Sequence, residues 1–222
     1  MSGVRLNRQD IDALEKERRT ALINSLSGVR TAVLVGTTAG GGQSNLAIFN
    51  SLTHLGANPP LLGLVFRPDT VARHTLRNLR SNGVFTVNHV REAFLKEAHQ
   101  TSARYPRDVS EFEAVGLTEH WEPDFEAPFV AEAAVRIGLT TREELPIKAN
   151  GTYLIVGEVA VIEAPDTALD GGGALDPAAA GSVAVAGLTT YFRAEPLAHL
   201  PYAKAPALTR EESPDKVRTE EI

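Results

Sequence analysis

The chain has 222 residues, a formal net charge of -6 and 43% hydrophobic residues. Its length predicts one well-buried domain with extensions, and the ordinary composition gives no indication of a nucleic-acid or membrane partner. Cysteine is absent, which excludes disulfides, thiol nucleophiles and iron–sulfur ligation by the chain, so any redox chemistry must come from a bound cofactor. With no signal-peptide pattern and no apolar stretch of about 18 residues, we expect a soluble cytoplasmic protein.

The first quarter of the chain predicts a surface helix and a β-hairpin. Residues 9–26 carry apolar side chains spaced among charged ones, which is typical of an amphipathic surface helix. Apolar and β-branched residues at 30–37, a glycine turn at 40–42 and a second extended segment at 44–55 predict the hairpin. The Asn-Pro-Pro sequence at 58–60 excludes regular structure within these three residues.

The next segments predict two strands with a helix between them. The apolar run at 61–67 predicts a buried strand, and residues 84–90 predict another. The pattern of 69–82 predicts a helix that is capped by the aspartate or threonine at its start and ends at Gly83. The segment 91–121 is polar and compatible with helices, with several breaks.

The last third predicts further strands and a tail. Residues 129–140, 152–162 and 182–186 have β-like sequences, and the glycine- and alanine-rich segment 168–181 predicts a surface loop. Many short strands with few βα alternations favour a mainly β fold with inserted helices, in the form of a closed or partly closed barrel.

Composition divides the chain into three parts. We expect an N-terminal helical extension at 1–27, a barrel domain at 28–202 and a disordered tail at 203–222, because the tail is charged and poor in apolar residues.

Several common chemistries lack their motifs here. Neither G-x-G-x-x-G nor a P-loop follows the strand at 30–37, which argues against a dinucleotide-binding fold. The glycine that would complete G-x-S-x-G around Ser44 is missing, so this serine has no support as a nucleophile. The six histidines show neither an i, i+4 pair nor H-E-x-x-H, which favours scattered structural histidines over a metal or haem site.

Two polar features are candidates for ligand binding. In the extended segment 44–53, hydroxyls and amides alternate with apolar residues, so one face can enter the core while the other meets a ligand. The alternative is a half-exposed strand without a ligand. The second feature is an arginine cluster at the junction of a strand and a helix, which predicts a phosphate site rather than only a solvated helix face. Its members are Arg67, Arg73, Arg77 and Arg80.

At these residues the sequence resembles a known family. The run from Ser44 to Val90 is similar to the core of the flavin reductase-like proteins with the FMN-binding split-barrel fold: a serine- and threonine-rich strand, a D/N-P-P turn, an apolar strand, a D/H-T-x-x-N-[IL] helix and a V-N strand. Segments 98–106, 110–113, 157–159 and 187–191 resemble later family motifs in the same order. The resemblance covers roughly residues 25–202.

The resemblance implies a binding site for noncovalent FMN. Asn45, Ala47 and the backbone around Asn50 would line the isoalloxazine beside Ser44, and Ser51 and Thr53 would lie near the ribityl-phosphate side. The phosphate would be held by Arg67, Arg73 and Thr75. Gln100, Thr101 and Ser102 would close the site from a loop, either within the subunit or across the interface of a homodimer.

The same resemblance implies a redox activity. A flavin reductase transfers hydride from NADH or NADPH to flavin N5, and the reduced flavin then serves a partner monooxygenase or another electron acceptor. The alternative is an FMN-holding electron carrier, or flavin-binding protein, without its own nicotinamide site. Two features depart from the family: His74 stands where many relatives have aspartate, and the helix at 9–26 exceeds the minimal domain. Either could alter the second substrate.

Overall fold

The computed structural model describes residues 3–39, 42–68, 70 and 73–204. Within these residues the chain forms five α-helices, two short 3-10 helices and twelve β-strands. The predicted class, mainly β with inserted helices, is therefore confirmed. None of the described helices is long and apolar enough to cross a lipid bilayer.

The helices lie at the N-terminus and between the strands. They are α1 (Arg8–Ala13), α2 (Lys16–Ser25), α3 (His74–Asn82), α4 (Leu95–Gln100) and α5 (Glu111–Val115). The strands are β1 (Val29–Thr31), β2 (Val33–Thr38), β3 (Ser44–Phe49), β4 (Leu52–Ala57), β5 (Pro60–Phe66), β6 (Val84–His89), β7 (Glu119–His120), β8 (Phe129–Val130), β9 (Arg136–Ile147), β10 (Thr152–Glu163), β11 (Val183–Ala186) and β12 (Thr190–Arg193).

The main sheet has seven strands in the order β3-β2-β6-β9-β10-β5-β4, and every neighbouring pair is antiparallel. Although β3 and β4 follow each other in the chain, they form the two opposite edges of this sheet. The short connection at Asn50 and Ser51 therefore requires the sheet to curl until its edges approach, which is the geometry of an incompletely closed barrel. A smaller sheet has the order β1-β11-β12, and β7 pairs with β8.

Strand β2 separates two apolar clusters, which explains the consecutive apolar residues Val33, Leu34 and Val35 at its start. Leu34 packs in a cluster with Leu46 and Phe112, while Val33 and Val35 pack in a second cluster with side chains of the opposite face. All six residues of β2 are buried, because both of its faces are covered. The strand that leads into the candidate site is thus fixed by packing on both sides.

Several predicted boundaries differ from the structure. The single helix predicted over 9–26 is wrong: Leu14 has an extended backbone, with ψ 142°, and separates α1 from α2. Neither helix buries a residue, which agrees with a surface position. The strand predicted over 129–140 is also interrupted, because β8 ends at Val130 and β9 begins at Arg136.

The helix predicted over 69–82 begins at His74, with Arg73 at its N-cap, and ends at the predicted Gly83, whose φ is 72°. Residues 69, 71 and 72, glycines 40 and 41 of the predicted turn, and the predicted tail from residue 205 onward lie outside the described residues.

One buried histidine gives the fold a pH dependence. His89 at the end of β6 is 6% exposed, and its Nδ1 lies 2.9 Å from the Ser182 hydroxyl. Burial lowers the pKa of His89 to about 4, because the charged imidazolium cannot keep its hydration inside the protein. The folded state therefore binds this proton more weakly than the unfolded chain does.

We predict that stability falls on acidification below about pH 6.5. Since the folded pKa lies below the unfolded one, the stabilisation is fully present above pH 6.5 and is lost as the pH falls toward 4, by an amount on the order of 3 kcal/mol. Urea unfolding at pH 7.5, 5.5 and 4.5 measures this slope. His89→Gln should flatten the slope, whereas His54→Gln, at an exposed histidine, should preserve it. A slope that is unchanged in His89→Gln would contradict this assignment.

Candidate functional site

Among the described residues, strand β3 has one edge without a neighbouring strand. Within that part of the chain it pairs only with β2, so the N–H and C=O groups of alternate residues point away from the sheet. The Leu46 N–H is one of these groups, and it donates to Glu111 Oε2 at 3.0 Å. The same alternation directs the backbone groups of Ile48 to this edge. The strand that was predicted to carry ligand contacts therefore offers backbone hydrogen bonds as well as side chains.

Glu111 is buried beside this edge, and the sequence alone gives no signal for its role. The residue is 6% exposed. Burial raises the pKa of Glu111, and the hydrogen bonds from the N–H groups of Leu46 and of Glu111 itself counteract this effect. Segment 110–113 was recognised only as a family-like sequence, and no spacing rule connects it with β3.

The first residue of β3 is held by a polar cluster. The Ser44 hydroxyl lies 2.7 Å from the Ser110 hydroxyl and also bonds Glu119 Oε1. The other Glu119 oxygen accepts from Trp121 Nε1 at 2.9 Å. Ser44 is thus engaged in anchoring β3 to the segment before α5.

Asn45 and Thr75 come together in the structure. The Asn45 side-chain amide donates to the Thr75 hydroxyl at 3.1 Å, and both residues are buried. This hydrogen bond brings the first turn of α3 to the side of β3. The residue that the resemblance assigns to the isoalloxazine, Asn45, therefore contacts the one that it assigns to the phosphate, Thr75. Asn45 also lines a small surface recess with His74 and Arg107.

The far end of β3 carries a second group of the predicted residues. The Asn50 amide donates to Gly187 O at 2.6 Å, which ties the β3-β4 connection to the turn between β11 and β12. The Ser51 hydroxyl donates to Val65 O at 2.9 Å and accepts from Val65 N at 3.2 Å. Its donor hydrogen and one of its two acceptor lone pairs are therefore used within the sheet.

Ala47 and Thr53 lie on the two edge strands. Ala47 is half-buried near the middle of β3, and Thr53 is exposed on β4. The Ala47 side chain has no hydrogen-bonding group, and the Thr53 hydroxyl forms no hydrogen bond with another described residue.

The arginines of the cluster differ in whether their guanidinium groups have a partner among the described residues. Arg80 forms an ion pair with Glu144 at 2.6 Å, and its guanidinium lies 4.9 Å from the centre of the Tyr153 ring. Arg67 is exposed at the end of β5, and Arg73 is half-buried at the start of α3. The Arg73 Nε atom is buried without a hydrogen-bond partner among the described residues, and a buried guanidinium nitrogen of this kind needs an acceptor.

Gln100, Thr101 and Ser102 were predicted in a loop, but Gln100 is the last residue of α4 and Thr101 is its C-cap. The Thr101 hydroxyl donates to Ala98 O at 2.8 Å within its own helical turn, and Thr101 is buried. Gln100 Nε2 lies 3.3 Å from the Tyr105 hydroxyl, and Ser102 is exposed. His99 Nδ1 lies 2.8 Å from the Tyr191 hydroxyl, which fastens α4 to β12. Burial raises the pKa of Tyr191.

Comparison with known proteins agrees with this architecture. The sequence profile of the family described as "Flavin reductase like domain" matches residues 26–193. The crystal structure of a Shewanella frigidimarina protein, provisionally named a flavin reductase with split barrel domain, has 43% identity and a TM-score of 0.87, and the match covers 90% of this chain and 100% of that one. The chain therefore belongs to the flavin reductase-like family, and the predicted split-barrel fold is confirmed.

Two more distant structures share the fold. Nitrilotriacetate monooxygenase component B from Bacillus cereus is 19% identical, with a TM-score of 0.79 over 90% of this chain and 100% of that chain. An FMN-binding protein from Thermus thermophilus, determined with bound 1-cyclohex-2-enone, is 20% identical, with a TM-score of 0.67 over 80% of this chain and 93% of that chain.

We predict that Glu111 secures the free edge of β3 through an acceptor oxygen. Glu111→Leu should lower the free energy of unfolding by about 1–3 kcal/mol, because it leaves the buried Leu46 N–H without a partner. Glu111→Gln keeps an acceptor oxygen and should stay within about 1 kcal/mol of the parent. Chemical denaturation measures both variants, with Glu113→Leu, at an exposed residue of the same helix, as the control. Equal losses in Glu111→Leu and Glu111→Gln would contradict this role.

Proposed function

We propose that the chain binds FMN noncovalently along β3 and acts as an NADH- or NADPH-dependent flavin reductase. The family supports a flavin as the ligand. The observation that carries the proposal for this chain is the free edge of β3, with the arginine-bearing start of α3 beside it. A flavin requires a wall for its ring, hydrogen-bond partners for its pyrimidine edge and cations for its phosphate, and these residues offer all three.

The edge of β3 suits the pyrimidine part of the ring. The outward N–H and C=O groups of Ile48 are the kind of donors and acceptors that complement the alternating carbonyl and N–H groups of that edge. Asn45 still has a second amide hydrogen and its carbonyl oxygen, since only one N–H is used on Thr75. Ala47 between them presents no side chain beyond a methyl group, which leaves room for a flat ring system.

Arg67, Arg73 and Thr75 are suited to bind the phosphate. Arg73 has a buried Nε without a partner among the described residues, and Arg67 forms no ion pair in that part of the chain. The N–H groups of the first turn of α3 add partial positive charge. The Thr75 hydroxyl accepts from Asn45, so its own hydrogen can be donated to a phosphate oxygen.

When bound, the flavin supplies the N5 atom that accepts hydride from nicotinamide C4. The protein then has to hold the two rings together and donate hydrogen bonds where negative charge develops, near N1 and the C2 carbonyl. Backbone N–H groups and the Asn45 amide can perform this task without a catalytic acid–base pair. This explains why the sequence contains no recognisable catalytic dyad.

We further propose that the protein works as a cytoplasmic homodimer that delivers reduced flavin to a monooxygenase or another electron acceptor. The relationship in fold to nitrilotriacetate monooxygenase component B supports a partner of this kind. Exposed apolar residues near the small sheet support a dimer: Leu26, Val29, Leu188 and Phe192 are 41% to 68% exposed. This surface adjoins Gly187, which bonds Asn50 of the site.

If the chain is a flavin reductase, NADH or NADPH should bleach the visible absorption of its bound FMN. Protein loaded with FMN should show the visible absorption of oxidised flavin and lose it within seconds after NADH or NADPH is added without oxygen. Free FMN at the same concentration is the control. A protein that binds FMN but bleaches only with dithionite would support the electron carrier and contradict the reductase, and a protein that binds no flavin would contradict both.

The phosphate site predicts discrimination between FMN and riboflavin. Arg67→Ala should weaken FMN binding roughly ten- to a hundredfold, because one charge-assisted hydrogen bond contributes about 1.5–3 kcal/mol. Riboflavin lacks the phosphate, so its affinity should change less than about threefold. Fluorescence titration measures both ligands, with Arg142→Ala on β9 as the control. Equal losses for FMN and riboflavin would remove Arg67 from the phosphate site.

If the protein is a homodimer, its mass in solution should be about twice that of one chain. Light scattering at micromolar concentration should give that mass, and Phe192→Glu should shift it toward the monomer because a charge would enter an apolar interface. A monomeric parent protein with FMN bound would contradict the dimer.

A further inference from the structure

A histidine and two glutamates outside the proposed flavin site lie together where β7 and β10 end. His120 Nε2 lies 2.7 Å from Glu122 Oε1. A carboxylate oxygen of Glu163 completes a set of three ligand-type atoms that all lie within 4.8 Å of one another. All three residues are half-buried. We refer to His120, Glu122 and Glu163 as the His-Glu-Glu cluster.

The cluster joins two segments that are distant in sequence. His120 ends β7 and Glu122 follows it by two residues, a spacing that puts both side chains on the same side of an extended segment. On the opposite side, Trp121 Nε1 donates to the Glu119 carboxylate at 2.9 Å. The third member, Glu163, is the last residue of β10. Motif spacing therefore gave no indication of this group, because its third residue is not local.

Apolar packing holds the two segments at this distance. His120 pairs with Phe129 of β8, and Phe129 packs with Phe125 and with Val161 of β10. Phe125 lies so close to β9 that a Cβ atom at Gly138 would approach its ring to 2.9 Å. The ends of β7 and β10 are thus brought together by buried side chains, and the His-Glu-Glu cluster lies at the rim of this packing.

Arg136 supports the cluster without closing it. It is opposite Glu163 in the register between β9 and β10, and its guanidinium lies 2.6 Å from Glu163 Oε2. A carboxylate has two oxygens with about four lone-pair positions, so Glu163 can accept from Arg136 and still bind an ion. Ligating carboxylates in metal sites commonly have an outer hydrogen bond of this kind. With a neutral imidazole, two carboxylates and one guanidinium leave a net negative charge, which favours a cation.

We propose that the His-Glu-Glu cluster binds a divalent transition-metal ion of the zinc type. One imidazole nitrogen and two carboxylate oxygens are ligands that Zn²⁺ accepts, and water can take the fourth position. Ligand atoms about 2.0–2.2 Å from one ion lie about 3.3–3.6 Å apart in a tetrahedral site, so side-chain movements of about 1 Å are sufficient here. The imidazole disfavours Mg²⁺ and Ca²⁺, which prefer oxygen ligands.

A bound ion would connect the β7 segment to the end of β10. The neighbouring Glu119 bonds the Ser44 hydroxyl, so the same ion would also steady the segment that anchors the start of β3. This role is structural and takes no part in hydride transfer. The inference therefore stands apart from the proposed function, and no flavin is needed to test it.

Zinc binding to the full chain without an affinity tag tests the proposal. Chelator-treated protein is titrated with Zn²⁺ and with Mg²⁺ by calorimetry, and anomalous scattering from a crystal grown with Zn²⁺ locates the ion. His120→Gln and Glu163→Gln each remove one ligand. His54→Gln, at an exposed histidine of β4, is the matched control. Circular dichroism establishes that each variant is folded.

The parent and His54→Gln should bind one zinc ion per chain at the cluster, about 2.0–2.2 Å from His120 Nε2 and the two carboxylates. Zn²⁺ should also raise their Tm, because it binds only the folded site. His120→Gln and Glu163→Gln should each weaken binding at least about tenfold. Equal zinc affinity in the parent and both variants would overturn the inference, as would no binding by the parent in excess zinc. Tighter binding of Mg²⁺ than of Zn²⁺ would overturn the class of metal.

Discussion

The unpaired edge of β3 is the constraint on which the site depends. Backbone N–H and C=O groups at a strand edge must find partners, and an uncovered edge invites pairing with another chain. This protein closes part of the edge internally, since Glu111 accepts the Leu46 N–H. The hydroxyls of Ser44 and Ser110 fasten the beginning of the same strand. What remains around Ile48 is a short stretch of edge with fixed geometry, which is what a flat hydrogen-bonding ligand needs.

The site and the fold are connected through single hydrogen bonds from β3 and its following turn. Asn45 reaches α3, Leu46 reaches α5, and Asn50 reaches the turn between β11 and β12. Three elements that are distant in sequence therefore meet at one strand. Because β2 is buried on both faces, the strand that supports β3 cannot shift without disturbing two apolar clusters. Ligand groups placed along β3 would thus be held in position by the packing of the whole domain.

The fold could be predicted from the sequence because its signals are local or carried by ordered motifs. The apolar run of β5, the stop of α3 at Gly83 and the alternation in β3 each reflect the preferences of neighbouring residues. The contacts that build the site are not local. Glu111 lies 65 residues from Leu46, whose N–H it accepts. The Ser51 hydroxyl donates to Val65 O, and this partner depends on the register between β4 and β5. The break at Leu14 was missed because one extended residue does not interrupt an apolar periodicity.

Amide hydrogen exchange followed by NMR, with and without ligand, measures whether FMN binds along β3. We expect FMN to slow exchange at the Ile48 amide on the edge of β3 and at the amides of the first turn of α3. Riboflavin should protect β3 but leave the start of α3 close to its unliganded rate, because it has no phosphate. Protection by FMN that is confined to another part of the domain, or no protection at either place at saturating FMN, would contradict a flavin site on β3.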